Sequence, residues 1–160
     1  MKVYIGSDHG GFELKQELLK LWPSMLNIPT QTNLSDVGCF TNSSTDYPDL
    51  AENVCTRIIN DYMSQPKIIA SEDAFAYNSL GILVCGSGQG MAMKANKYAQ
   101  IRAALCWSPE ITALAREHNN ANILCLPGRF LNSSVAIEMV RVFLTTPFAK
   151  GRHALRVEKI

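Results

Sequence analysis

The sequence predicts an α/β domain built on a five-stranded parallel sheet, a three-layer Rossmann-like sandwich. Three observations carry that expectation. Short apolar runs alternate with longer amphipathic stretches along the chain, as strands alternate with helices in such domains. One run, Gly81 to Cys85, is apolar at almost every position, which suits a strand buried on both faces. It is followed by glycines at alternate positions, Gly86, Gly88 and Gly90, and then by good helix formers from Met91 to Ala95. That is the order strand, glycine-rich loop, helix.

The first strand is expected over Lys2 to Gly6, leading into Ser7-Asp8-His9-Gly10-Gly11. A helix follows with Leu14, Leu18, Leu21 and Trp22 on one face, and Pro23 stops it. Residues 23 to 33 form a polar connection to a second strand over Leu34 to Gly38. A polar loop, Thr41 to Tyr47, precedes a helix opened by Pro48, whose apolar stripe is Leu50, Val54, Ile58 and Tyr62. The connection from 64 to 79 is long for a compact domain and has room for a short helix or ribbon. After the third strand and its loop, a fourth strand is expected over Ile101 to Cys106. Ser108-Pro109-Glu110 then reads as a helix start, and Ile111, Leu114, Ala115 and His118 share a face. A fifth strand spans Asn122 to Leu126, and Pro127-Gly128-Arg129 makes a turn. A last helix carries Val135, Met139, Val142 and Phe143 until Pro147, and a tail with helical spacing runs to Ile160.

Composition narrows the function classes. At 160 residues the chain is expected to form one domain, able to bury roughly two-thirds of its unfolded surface. A net charge of +1 gives no field of the kind a nucleic-acid binder needs. No apolar run is long enough to cross a membrane. Lys2 goes straight into a strand pattern with no signal peptide, and five cysteines form no C-x-x-C pair. A cytoplasmic, reducing location is therefore expected, without disulfides or a zinc site.

The polar residues just past the strands are the candidate site. The glycine loop can aim several N–H groups at one anion. It is neither a dinucleotide fingerprint, because the third glycine, Gly90, falls one place early and Met91 stands where glycine is needed, nor a Walker loop. Cys85 sits at the strand end, where a helix N-terminus would favour the thiolate, or is simply one more small buried hydrophobe. Asp8 reads as a carboxylate of the site or as a helix cap. His118 and Asn119, at a helix C-terminus, would reach the same edge only if the next turn folds back over it. Arg129 follows strand five. Arg152 and Arg156, at i and i+4, are a phosphate clamp or a solvated basic face.

The chain resembles the ribose-5-phosphate isomerase B family, which also contains the galactose-6-phosphate isomerase subunits. The matching segments are Gly6-Ser-Asp-His-Gly-Gly-Phe12, Asp46-Tyr-Pro-Asp49, Gly81 to Gly90 running into Ala95-Asn-Lys97, Ile101 to Cys106, Glu117-His-Asn-Asn-Ala-Asn122 and Gly151-Arg-His-Ala-Leu-Arg-Val157. The resemblance implies a homodimer, in some members a pair of dimers, that interconverts aldose and ketose phosphates with no cofactor and no metal. It implies that Cys85 is the base, in place of the Glu that other members carry near Gly90 and Met91. Gly86, Ser87, Gly88, Gln89 and Gly90 would hold the enediolate. His118 would open the sugar ring, with Asn119 beside it and Asp8 and His9 on sugar hydroxyls. Arg129, Arg152 and Arg156 would bind phosphate, the last two from a tail (about 148–160) that reaches the partner's site. Galactose or allose 6-phosphate is the rival substrate, and a non-catalytic sugar-phosphate binding module the rival class. The 64–79 and 23–35 connections are longer than the family pattern.

Overall fold

The computed structural model describes residues 1–25, 27–29, 31–64 and 78–160. Its sheet has five strands: β1 (Lys2–Ser7), β2 (Asn33–Asp36), β3 (Ser79–Cys85), β4 (Ala103–Leu105) and β5 (Ile123–Pro127). All pair in parallel, in the order β2-β1-β3-β5-β4. The expected parallel sheet is therefore present, with strand ends moved by at most two residues. The helices are α1 (Phe12–Leu21), α2 (Tyr47–Met63), α3 (Gln89–Ala95), α4 (Pro109–Asn119), α5 (Ser133–Thr145) and a four-residue turn in the tail, α6 (Ala154–Val157).

Two apolar layers clamp the sheet. On one face Val3, Ile5, Ile82, Val84, Leu124 and Leu126 meet α1, α4 and α5 through Leu14, Leu18, Ala115, Met139 and Phe143. On the other face Leu83, Cys85, Ile123 and Cys125 meet α2 and α3 through Val54, Cys55, Ile58 and Met91. The alternation of Ile82, Val84 with Leu83, Cys85 is the period-two pleat of a strand covered on both sides. All seven residues of β3 are buried, which explains its unbroken apolar run.

Two stripes differ from expectation. On α4 the buried positions are Thr112 and Ala115, whereas Leu114 is exposed and His118 only half-buried. The Thr112 hydroxyl donates to the Ser108 carbonyl, so a polar residue is accommodated on the inner face and the helix is rotated from the stripe that apolarity alone suggests. On α2, Tyr62 is likewise exposed near the helix end. The short element expected in the 64–79 connection falls almost wholly outside the described residues.

The chain goes from β1 out to β2, then back past β1 to β3. The carboxyl ends of β1 and β3 therefore flank the point where the winding direction reverses, which is where sheets of this class open a ligand crevice.

Candidate active site

Three loops leave the carboxyl edge of the sheet, after β1, β3 and β5, and glycine lets them touch. A Cβ on Gly11 would lie 2.3 Å from the Val84 carbonyl oxygen, inside any allowed contact. Arg129 packs along Gly86, and the Tyr47 ring packs against Gly90, where a Cβ would fall 2.6 Å from the ring. Gly88 has φ +74°, a left-handed conformation that favours glycine, and caps α3. The backbone of the β5 loop is bonded to that of the β3 loop: Gly128 N–H donates to the Cys85 carbonyl at 2.8 Å and Arg129 N–H to the Gly86 carbonyl at 3.1 Å.

These loops enclose a cavity of about 350 Å³ lined by Asp8, His9, Cys85, Gly86, Ser87 and Arg129, together with Gly10, Tyr47, Gly90 and Phe130. Cys85 is buried, and Gly88 N–H donates to its sulfur at 3.1 Å. Asp8 both lines the cavity and caps the turn that follows, accepting from Gly11 N–H at 3.0 Å. The helix-cap alternative for Asp8 is thus realised without removing the residue from the site. His9 accepts at Nδ1 from Thr45 N–H at 3.3 Å, so the loop before α2 fixes the ring. Gln89 is the exposed first residue of α3 and does not line the cavity.

Behind the site a buried cation braces the neighbouring loop. Lys15 is fully buried; its Nζ donates to both Asp36 carboxylate oxygens, at 2.7 and 2.6 Å, and to the Cys39 carbonyl at 2.8 Å. Cys39 N–H in turn donates to the Ser7 carbonyl, one residue before Asp8.

His118 and Asn119 do not join this cavity. They end α4, and the chain enters β5 four residues later, at the amino edge of the sheet. A strand of five residues runs about 13 Å, so the two groups lie at opposite ends of the molecule's sheet. The turn does not fold back, because its polar groups are committed locally. Asn120 closes α4 in the left-handed conformation (φ 47°), Asn122 accepts from Arg102 N–H through its side chain, and the Arg102 side chain donates to the carbonyls of Asn119 and Asn120. Around His118 the tail assembles instead. Ala149 N–H donates to the Glu117 carbonyl, and the His153 ring stacks on the His118 ring, with centroids 4.2 Å apart and planes 3° from parallel. Packing at the tail, and then the positive charges of His118, Arg152 and Arg156, hold His153 below the ordinary imidazole range, against the opposing pull of Glu117. In this second cluster the two arginines are exposed and the two histidines half-buried.

Sequence reasoning missed Gly10, Tyr47, Phe130 and His153. Tyr47 and His153 lie inside segments singled out for their resemblance, yet carried no role. Phe130 follows Arg129 and is 76% exposed at the cavity rim, a large apolar side chain on water that only position relative to the site makes meaningful. No group of three or more His, Cys, Asp or Glu side chains able to hold a metal ion comes together among the described residues.

The family model described as Ribose/Galactose Isomerase matches residues 3–160. The chain belongs to that family. Ribose-5-phosphate isomerase B of Mycolicibacterium paratuberculosis is 38% identical over 160 residues, covering 99% of this chain and 88% of the relative. The crystal structure of ribose 5-phosphate isomerase from Thermotoga maritima superimposes with a TM-score of 0.82 at 40% identity, covering 99% of this chain and 95% of that one. The structure of ribose-5-phosphate isomerase B from Mycoplasma genitalium, with bound ribulose 5-phosphate, gives a TM-score of 0.82 at 36% identity, covering 99% and 92%. The family's fold and the architecture described above therefore agree across the whole chain.

Proposed function

We propose that this chain interconverts ribose 5-phosphate and ribulose 5-phosphate by moving one proton between C1 and C2. The observation that carries this reading is a thiol on the wall of a polar cavity at the sheet's switch point, with a backbone N–H aimed at its sulfur. A thiol in that setting is a base, and membership of an isomerase family supplies the reaction class.

The step follows from the parts. Cys85, as thiolate, takes the proton from C2 of the open-chain aldose. The electron pair left behind forms the C1–C2 double bond, and the aldehyde oxygen takes the negative charge of a cis-enediolate. The loop from Gly86 to Gly90 supplies donors for that charge, the term that usually dominates such catalysis. The oxygens exchange a proton, and the thiol returns its proton to C1, giving the ketose. Arg129 at the cavity rim suits the phosphate, with Asp8 and His9 on hydroxyls.

Ring opening calls for an acid at the ring oxygen, the role proposed for His118 with Asn119 beside it. One substrate cannot bridge two groups at opposite sheet edges of a single chain. We therefore assign a complete site to a homodimer in which the His118, Arg152 and Arg156 cluster of one chain faces the Cys85 cavity of its partner. Phe130 at the cavity edge, 76% accessible in the isolated chain, fits a surface that a second copy covers.

The experiment is turnover of ribose 5-phosphate, followed as ketose formation with EDTA present. Wild type is expected to be active, and Cys85→Ala to lose at least ~10²–10⁴ in kcat. An undiminished kcat would make Cys85 structural. A wild type inert on ribose 5-phosphate but active on galactose or allose 6-phosphate would move the substrate, and one inert on all three would leave a binding module.

A further inference from the structure

We propose that His153 is a positioning residue for His118: its ring is the flat surface against which the His118 imidazole is held for ring opening. The inference rests on the ring-opening role proposed above for His118. It adds a residue that the reading of the sequence left without a function.

The geometry is specific. The rings are stacked at 4.2 Å between centroids with planes only 3° apart. An imidazole that delivers a proton to a ring oxygen needs a fixed plane, since the N–H must point along the oxygen lone pair. Nothing on α4 itself supplies that plane. His118 is half-buried at the last turn of the helix, its neighbour Asn119 is exposed, and the inner face of the helix is formed by Thr112 and Ala115. The plane comes from the tail. That tail is fastened to the same helix end by the bond from Ala149 N–H to the Glu117 carbonyl, 2.9 Å. It is also anchored by Val157, buried four residues beyond His153.

The surrounding charges favour the arrangement. Two imidazolium rings in this stack would repel each other. His153 faces His118 and Glu117 from α4 and Arg152 and Arg156 from the tail, and packing together with the three positive groups disfavours its protonation. His153 thus presents the His118 ring with a flat face whose protonation is disfavoured. The two arginines that add to this bias, after packing and the His118 charge, are the same ones proposed to hold phosphate, so substrate positioning and acid positioning share one short segment.

The test compares His153→Ala, which removes the ring, with His153→Phe, which keeps a flat ring that cannot titrate. Two readouts separate ring opening from proton transfer. The first is kcat and KM on ribose 5-phosphate, which exists mainly as a furanose. The second is exchange of the C1 proton of ribulose 5-phosphate with solvent deuterium, because that ketose is acyclic and needs no ring opening. We expect His153→Ala to lower kcat on ribose 5-phosphate about tenfold, with KM within about twofold and solvent exchange unchanged. His153→Phe should restore kcat to within about threefold of wild type. Equal losses in the Ala and Phe variants would overturn the proposal, because a ring nitrogen rather than the ring face would then matter. An unchanged kcat in His153→Ala, a change confined to KM, or an equal loss of solvent exchange would overturn it too. His118→Ala, measured alongside, separates the two levels. If it keeps full kcat on ribose 5-phosphate, the role of His118 fails and this inference with it. If it loses kcat while His153→Ala does not, only the present inference fails.

Discussion

Four of the five cysteines show how differently one side chain behaves along this sheet. Cys85 ends β3 on the cavity wall with a backbone donor on its sulfur. Cys55, Cys106 and Cys125 are buried in the apolar layers, and desolvation pushes the Cys55 thiol up to about 12, Cys106 to about 11 and Cys125 well above its ordinary value. An unfolded chain ionises these thiols near 9.0, while the native chain keeps them protonated. Their contribution to stability is therefore complete below pH 9 and falls as pH rises from there towards 11 to 12, by up to about 1.4 kcal/mol per pH unit for each thiol. Urea unfolding at pH 8, 9, 10 and 11 should show that decline, and Cys55→Ala should make it shallower. An identical slope in the variant would mean that Cys55 does not titrate as buried thiols do. Local composition could not separate these cysteines, because Cys55, Cys85, Cys106 and Cys125 each follow an apolar residue. Only the end of the strand, and the glycines after it, marked Cys85.

At the level of elements, the five strands and the helix pattern were legible because apolar periodicity reports burial directly, whereas the strand order came only from the structure. The shortfalls came where burial and apolarity part company. Thr112 points inward because its hydroxyl is satisfied by its own helix, and Leu114 and His118 turn outward as a result. Lys15 is the sharper case, a lysine between Leu14 and Leu18 that is wholly buried. Its signal was present as a charge inside an apolar stripe, but the partner, Asp36 at the end of β2, is twenty-one residues away. This ion pair ties α1 to β2 and, through the Cys39 carbonyl, to the loop beside Asp8. Lys15→Met should cost on the order of 3 kcal/mol, since it strands the Asp36 carboxylate, and Lys15→Met with Asp36→Leu should regain part of that. Denaturant titration of the two variants checks this, and a double variant less stable than the single one would refute it.

For the whole molecule, the family and its segments were legible in the residues, but not the division of the candidate site between two edges of the sheet. The sequence already placed His118 before strand five and the Gly86 to Gly90 loop after strand three; what it left open was whether the turn after His118 folds back over the site, and the local hydrogen bonds of Arg102 and Asn122 decide that it does not. The division makes a test of assembly possible. Neither Cys85→Ala nor His118→Ala chains should isomerise ribose 5-phosphate well alone. Refolded together in equal amounts, half of the dimers would be mixed, each with one intact site of two. Activity should then return to about a quarter of wild type. Activity that stays at the level of the separate variants would place both residues in one chain's site.

The stacked histidines and the thiol sit on opposite ends of one small sheet, and this has a consequence for how the catalyst responds to scarcity. If each reaction chamber is shared, a solitary chain is folded yet idle. Total rate would then depend on how often chains meet, rising with the square of concentration when the protein is dilute and becoming linear once pairing is complete, so that the rate per chain climbs and then levels off. Synthesis of the chain would switch activity on over a threshold rather than in proportion, with no ligand, modification or added domain required.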